Sequence, residues 1–184
     1  LTTALHMLAL NVLPHRYDII HAHYGFSGAI ALLQFRYPVV VTFHGGDLLQ
    51  RDARIGKPVA HHAHGVIVMS DQMKAVSGRD DAHIIPFGID STIFKPMPKA
   101  QARAELGLDP DKRLILFAWD PRRPVKRYPL AVSAVEKLKE RLPDVEMVIV
   151  YKQPRQVVAQ YMAACDALIL VSMTEGSPLA VREA

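Results

Sequence analysis

Val39-Val40-Val41-Thr42-Phe43-His44-Gly45-Gly46-Asp47 is the stretch that decides the fold. Its first five residues are β-branched or aromatic, and the run is strand-sized and too short for a free-standing helix. It therefore reads as a buried strand of a parallel sheet. It ends abruptly on His44-Gly45-Gly46-Asp47, where glycines permit close backbone approach. Upstream, Asp18–His23 reads as a short strand and Gly25–Gln34, rich in Ala and Leu, as a helix. Downstream, Gly65–Ser70 is a second buried strand, with Ser70 or Asp71 placed to cap a helix through Val76. His83–Pro86 makes a last short strand before the turn Phe87–Asp90. Strands alternating with helical patterns imply parallel βαβ units.

Residues 91–112 form a seam. Pro96, Pro98 and Pro110 interrupt regular structure, and Ala100–Leu106 is a short helix ended by Gly107. The same rhythm then returns: strand Arg113–Ala118, loop 119–128, helix Pro129–Arg141, strand Val145–Tyr151, helix Gln156–Ala164, strand Ala167–Val171 and a helix start after Ser177. The helix over 129–141 sets Leu130, Val135, Leu138 and Leu142 on roughly one face. The expectation is α/β: two Rossmann-like, doubly wound parallel-sheet lobes, residues 1–93 and 94–184, with a hinge near 88–100. Each lobe is short for an independent one, and the chain begins and ends inside helical patterns. Both lobes are therefore expected to be incomplete, the chain to be a fragment, and its activity to be impaired.

Of the 184 residues, 50% are hydrophobic and 22% charged, enough to bury a core. No apolar run reaches the ~18 residues of a membrane span, and the opening residues lack the charged start of a secretory signal. The single cysteine, Cys165, excludes an internal disulfide framework and fits a reducing compartment. Secreted, fibrous and membrane-spanning classes are disfavoured. The net charge is +4, and all of the surplus lies beyond residue 93, much of it in Arg122, Arg123, Lys126 and Arg127. Such a cluster could bind nucleic acid, an anionic membrane or a phosphorylated small molecule.

The most informative chemistry lies in Thr174-Glu175-Gly176-Ser177-Pro178-Leu179-Ala180-Val181-Arg182-Glu183-Ala184. The segment follows a strand, so it sits at a carboxyl edge, where open α/β sheets bind ligands. Ser177 before Pro178 reads as a helix start, and a helix start offers backbone amides to a diphosphate. Glu175 and Glu183 are separated by roughly 8 Å of helix rise, so they could hold hydroxyls of two sugar rings. From spacing alone, a loop glutamate and a solvated helix glutamate are the better fit. Arg122 to Arg127 could be a solvated basic loop, and His44 a strand-end histidine bonded to backbone. Asp47 could orient a histidine or cap the next segment; capping is the better fit.

Glu175 and Glu183 with seven residues between them, set behind Ala164-Cys165-Asp166-Ala167-Leu168-Ile169-Leu170, resemble the E-x7-E motif of retaining glycosyltransferases of family 4. Thr42–Asp47, Ile85–Asp90 with Phe94-Lys95-Pro96, and Pro124–Arg127 match the same family in order. The resemblance covers nearly the whole chain and implies the two-lobe GT-B fold, with an amino-terminal acceptor-side lobe and a carboxyl-terminal nucleotide-sugar lobe. It implies transfer from a nucleotide-sugar donor to a carbohydrate or lipid-linked acceptor, in the manner of enzymes of bacterial cell-surface polysaccharide assembly. By position, Lys126 would contact the donor diphosphate, Glu175 the donor sugar and Glu183 the ribose. Gly176, Ser177, Pro178 and Leu179 would line the phosphate or sugar, and His44 would face the reacting sugar. The family's arginine position is occupied here by Pro121, leaving Arg122 or Arg123 to substitute. No cofactor and no metal are implied, charge stabilisation falling to Lys126, an arginine and the helix end.

Other constellations carry less. His61, His62 and His64, and His21 with His23, lack cysteine or carboxylate partners at metal-site spacing. Asp109-Pro110-Asp111 reads as a turn, and Cys165 as core. Dinucleotide, nucleophile-elbow and P-loop motifs are missing. No lysine stands in a recognisable pyridoxal phosphate setting, which disfavours a phosphorylase. The competing reading is a non-catalytic basic module for RNA or an anionic surface, with few aromatics and no RNA-binding signature to support it. Nucleic acid is not an expected partner. A cytoplasmic location is expected, and the basic surplus permits contact with anionic lipid at the inner membrane face.

Overall fold

A computed structural model describes residues 2–13 and 17–184. The chain divides into two units, Leu1–Phe87 with Thr174–Ser177, and Gly88–Met173 with Pro178–Ala184. In the first unit the order is α1 (Thr2–Ala9), β1 (Ile20–His23), α2 (Gly25–Ala31), β2 (Val39–Thr42), α3 (Gly46–Leu49), α4 (Ala53–His62), β3 (Gly65–Val68), α5 (Asp71–Ser77) and β4 (His83–Ile84). The four strands pair in parallel in the order β1-β2-β3-β4. Ala22 stands beside Val41 and Val41 beside Val66, so one face of the sheet is a continuous apolar layer. Val39, Val41, Phe43 and Val68 are fully buried. Right-handed crossovers that all step the same way carry their helices to one face, which is why a single side of the sheet is so thoroughly covered.

Two features follow from glycine. Gly28 lets α2 settle on its neighbours, because a Cβ there would meet Val59 Cγ1 at 2.6 Å and Val41 Cγ2 at 3.0 Å. Gly56 does the same for α4: a Cβ would lie 1.8 Å from the Asp47 carbonyl oxygen. Residues 46–62 carry no helical signal in the sequence, yet α3 and α4 are found there. Gly56 and Pro58 argue locally against a helix, and the tertiary contact that Gly56 permits overrides them. The helix expected through Gln34 stops at Ala31. Gln34 is instead buried and shapes the connection, donating to the carbonyls of Ala31 and Tyr37 and accepting from the amides of Arg36 and Tyr37. Ser70 caps α5 as expected, accepting from the Met73 amide.

In the second unit the order is α6 (Lys99–Leu106), β5 (Arg113–Phe117), a 3-10 turn (Pro124–Lys126), α7 (Tyr128–Lys139), β6 (Val145–Ile149), α8 (Arg155–Ala164), β7 (Ala167–Leu168) and α9 (Leu179–Glu183). The parallel sheet has the order β6-β5-β7, so the winding reverses at β5. Gly107 ends α6 in the left-handed region, as expected. On α7 the inward positions are Ala131 and Val135, with Leu138 and, just past its end, Leu142 partly buried, while Leu130 alone of the expected face is exposed. The strand expected through Val171 pairs only to Leu168, although the Ile169 amide still reaches the Leu116 carbonyl. Arg103, 6% exposed, binds the carbonyls of Ala164 and Pro110 and the Asp166 carboxylate. Lys99 and the Leu114 amide complete the Asp166 shell. Burial would raise the Asp166 carboxyl, but the Lys99 and Leu114 hydrogen bonds and both cations outweigh it and hold it below its usual value. Among the described residues, no helix is long and apolar enough to cross a membrane.

Candidate active site

The reversal of winding at β5 locates a ligand crevice at the carboxyl ends of β5 and β7. Two loops meet there: the Met173 amide donates to the Val125 carbonyl at 3.0 Å. The loop after β5 carries the basic cluster, and its parts differ. Lys126 closes the 3-10 turn, is buried, and sets its ammonium 4.9 Å from the centre of the Trp119 ring. A cation held over an aromatic face is attracted by the ring quadrupole. Arg122 and Arg123 are exposed. Arg122 forks onto Asp120, with Nε and Nη2 reaching the two carboxylate oxygens at 3.0 and 2.9 Å, and its guanidinium lies 5.7 Å from the Tyr151 ring centre. That fork holds the Asp120 carboxyl at about 2. Trp119, Asp120 and Tyr151 are not among the residues expected at the site; aromatic residues interleaved with a basic run are the signal for them.

Glu183 ends α9. Its side chain is 8% exposed and accepts from Arg155 Nη2 at 2.7 Å, while Arg155 lies 5.0 Å above the Phe94 ring. Burial pushes the Glu183 carboxyl upward, and Arg155 only partly opposes this. Glu183 is thus not a solvated helix glutamate. With Phe94, Met97 and Met162 it lines a cavity of about 280 Å³. The expected start of α9 needs correction. Pro178 lies at the N-cap with φ −71° and ψ 98°, the helix begins at Leu179, and no side chain caps it. Ser177 is therefore not the hydroxyl cap. Pro178 fixes φ before the first turn but lies outside the helical run.

In the first unit, His44 follows β2 on a loop whose shape is set by Asp47. That carboxylate is fully buried. It accepts the His44 amide at 3.0 and 3.2 Å, the Gly45 amide at 2.9 Å and the Gly25 amide at 3.1 Å. It therefore ties the loop after β1 to the loop after β2, a role closer to a cap than to orienting an imidazole. The His44 ring meets His23, with Nε2 3.2 Å from His23 Nδ1, and packs 5.0 Å from Phe87. Burial lowers the His44 pKa; Asp47 opposes that shift and His23 adds to it. Gly45 has φ +117°, a left-handed conformation that favours glycine. A Cβ on Gly45 would also come within 3.0 Å of the Gly176 backbone. Gly176 belongs to the Thr174–Ser177 segment of the same unit, and Gln50 Nε2 donates to Thr174 Oγ1 at 2.7 Å. Glu175 is half-buried in that segment. Tyr24, the non-glycine residue before α2, holds φ 78° and donates to Asp52 at 2.6 Å. That bond pushes its hydroxyl up to about 12.

A parallel α/β chain with a buried lysine at a winding reversal offers a ligand crevice at its strand ends. The sequence profile of Glycosyltransferase Family 4 matches residues 2–93, and the chain belongs to that family. The D-inositol 3-phosphate glycosyltransferase of Nocardia farcinica is 31% identical, over 71% of this chain and 34% of that protein. The putative teichuronic acid biosynthesis glycosyltransferase TuaC of Bacillus subtilis is 27% identical, over 91% of this chain and 50% of that protein. The Anabaena protein HepE, solved with UDP and glucose, aligns with TM-score 0.60 at 19% identity over 92% of this chain and 55% of that one. That likeness carries the fold, and the architecture is GT-B. The chain spans about a third to a half of the length of these curated relatives.

Proposed function

We propose that the chain is part of a retaining, metal-independent glycosyltransferase that moves a sugar from a nucleotide-sugar donor to an acceptor hydroxyl in cell-surface polysaccharide or glycolipid assembly. The observation that carries this is Lys126, a buried cation held over Trp119 where the winding of the second sheet reverses. The UDP and glucose in the Anabaena structure and the teichuronic acid role in the name of the Bacillus subtilis relative support donor class and context. In this reading residues 1–93 are the acceptor-side lobe and 94–184 the donor lobe. The bond from the anomeric carbon to the diphosphate oxygen breaks, a bond to the acceptor oxygen forms, and the acceptor proton leaves with the nucleoside diphosphate. Lys126, with Arg122 or Arg123, offsets the charge that grows on the departing phosphate. Glu175 accepts from hydroxyls of the donor sugar. Glu183, already desolvated, accepts from the ribose. The amides of Gly176, Ser177 and Leu179 meet phosphate or sugar oxygens, Pro178 holds their spacing, and His44 faces the reacting sugar.

No cofactor takes part. The protein works at the cytoplasmic face, where its basic surplus meets anionic lipid. The test is to incubate the full-length protein with a panel of UDP- and GDP-sugars plus an acceptor and to follow the anomeric proton by NMR. A product with the donor's anomeric configuration, formed in excess EDTA, supports the reading. Inverted product, or turnover abolished by EDTA, overturns it.

A further inference from the structure

We infer that His23 is a positioning residue for His44, the two imidazoles sharing one proton so that His44 keeps a single neutral tautomer. The catalytic meaning of this rests on the role proposed for His44; the pairing itself does not. His23 Nδ1 and His44 Nε2 are 3.2 Å apart, a distance that works only when one nitrogen carries hydrogen and the other a lone pair. Free neutral imidazoles favour the proton on Nε2. Placing it there on both rings makes His44 Nε2–H the donor and His23 Nδ1 the acceptor, so both rings are satisfied in their preferred form. The opposite arrangement requires both to adopt the disfavoured one. His44 is then left with a lone pair on Nδ1, suited to accept a hydroxyl.

The surroundings hold the pair in place. His21 and His23 are two residues apart on β1 and so project from the same face of the sheet. Their ring centres are 4.5 Å apart, and His21 Nε2 is anchored 2.7 Å from Thr42 Oγ1. On its other side His44 packs against Phe87. Among the described residues, the charged or titratable groups that act on the pair include His21, Tyr24 and Asp47. Asp47 favours a protonated His44, and it is already engaged by three backbone amides. A proton on His23 Nδ1 as well would set two N–H groups against each other, so the pair holds together only with that nitrogen bare.

Long-range proton–nitrogen NMR of the imidazoles in the 184-residue chain tests this at neutral pH. The expected result is a proton on Nε2 and a lone pair on Nδ1 for both His23 and His44. In His23→Leu the His44 tautomers become mixed, because the Nδ1 acceptor that selects one of them is lost. In His23→Asn, whose side-chain oxygen replaces the Nδ1 acceptor, the single tautomer returns. A proton on Nδ1 of His44 in the unsubstituted chain overturns the pairing, as does an unchanged His44 in a folded His23→Leu. Either result leaves the transfer reaction to be judged separately by its product.

Discussion

Removing the Asp47 carboxylate should loosen the first unit and the His44 loop together. Asp47→Ala strands the amides of Gly25, His44 and Gly45, all of which now bond to a fully buried acceptor. A buried N–H left without a partner costs about 1–3 kcal/mol, so three of them cost on the order of 4 kcal/mol after partial relaxation. For a unit of this size each kcal/mol lowers Tm by roughly 4–8 °C, which predicts a fall of about 16 °C or more in the transition assigned to the first unit. Asp47→Asn keeps the shape and one oxygen. That oxygen can serve His44 and Gly45, but its amide group faces the Gly25 N–H, so the loss should be smaller, about 2 kcal/mol. Calorimetry gives the midpoints, and amide hydrogen exchange at residues 25, 44 and 45 gives the local effect. Loss of less than about 1 kcal/mol in Asp47→Ala, with those three amides still protected, would refute the reasoning, since the loops would then have other means of holding their shape.

Gly56→Ala sets a methyl 1.8 Å from the Asp47 carbonyl oxygen; overpacking should outweigh the ~1 kcal/mol that alanine gains in a helix, for a net loss of about 2 kcal/mol in a urea melt. Gly78→Ala, with open space around it, is the control for strain without a clash. Asp166→Asn should weaken the second unit at pH 6. Because the folded carboxyl lies below its unfolded value of 3.8, its contribution is present above that pH and vanishes as pH falls through the lowered folded value. Wild type and variant melts should therefore converge under strong acid. The Cys165 thiol is pushed up to about 11 by burial, so a chromogenic disulfide at pH 8 should label it only at the rate at which the surrounding fold opens; labelling as fast as free cysteine would contradict the core assignment.

The parallel sheets were legible because Val39–Phe43, Gly65–Ser70 and Arg113–Ala118 are apolar on both faces, and no alternating or amphipathic reading competes with that. Helix α4 was not legible: Gly56 and Pro58 signal against a helix, and only a contact with Asp47, distant in local pattern, shows why glycine is there. Leu130 was misplaced because its hydrophobicity outranks that of Ala131, whereas the helix buries Ala131 and leaves Leu130 exposed. At the site, motif order pointed to Lys126 and Glu183, and both are desolvated. Ser177 failed as a cap because Pro178 precedes the first helical residue instead of occupying it. The His23–His44 pair could not be read from sequence at all, since it depends on β1 and β2 being neighbours in register.

The central claim is that Lys126 is held desolvated in order to grip a donor diphosphate. Calorimetric titration of the full-length protein with UDP- and GDP-sugars, repeated on a folded Lys126→Ala variant, tests it most directly. A charge-assisted contact worth about 1.5–3 kcal/mol predicts binding weakened roughly 10- to 100-fold. Equal affinity in the variant, or no affinity for any nucleotide sugar in either protein, would contradict it.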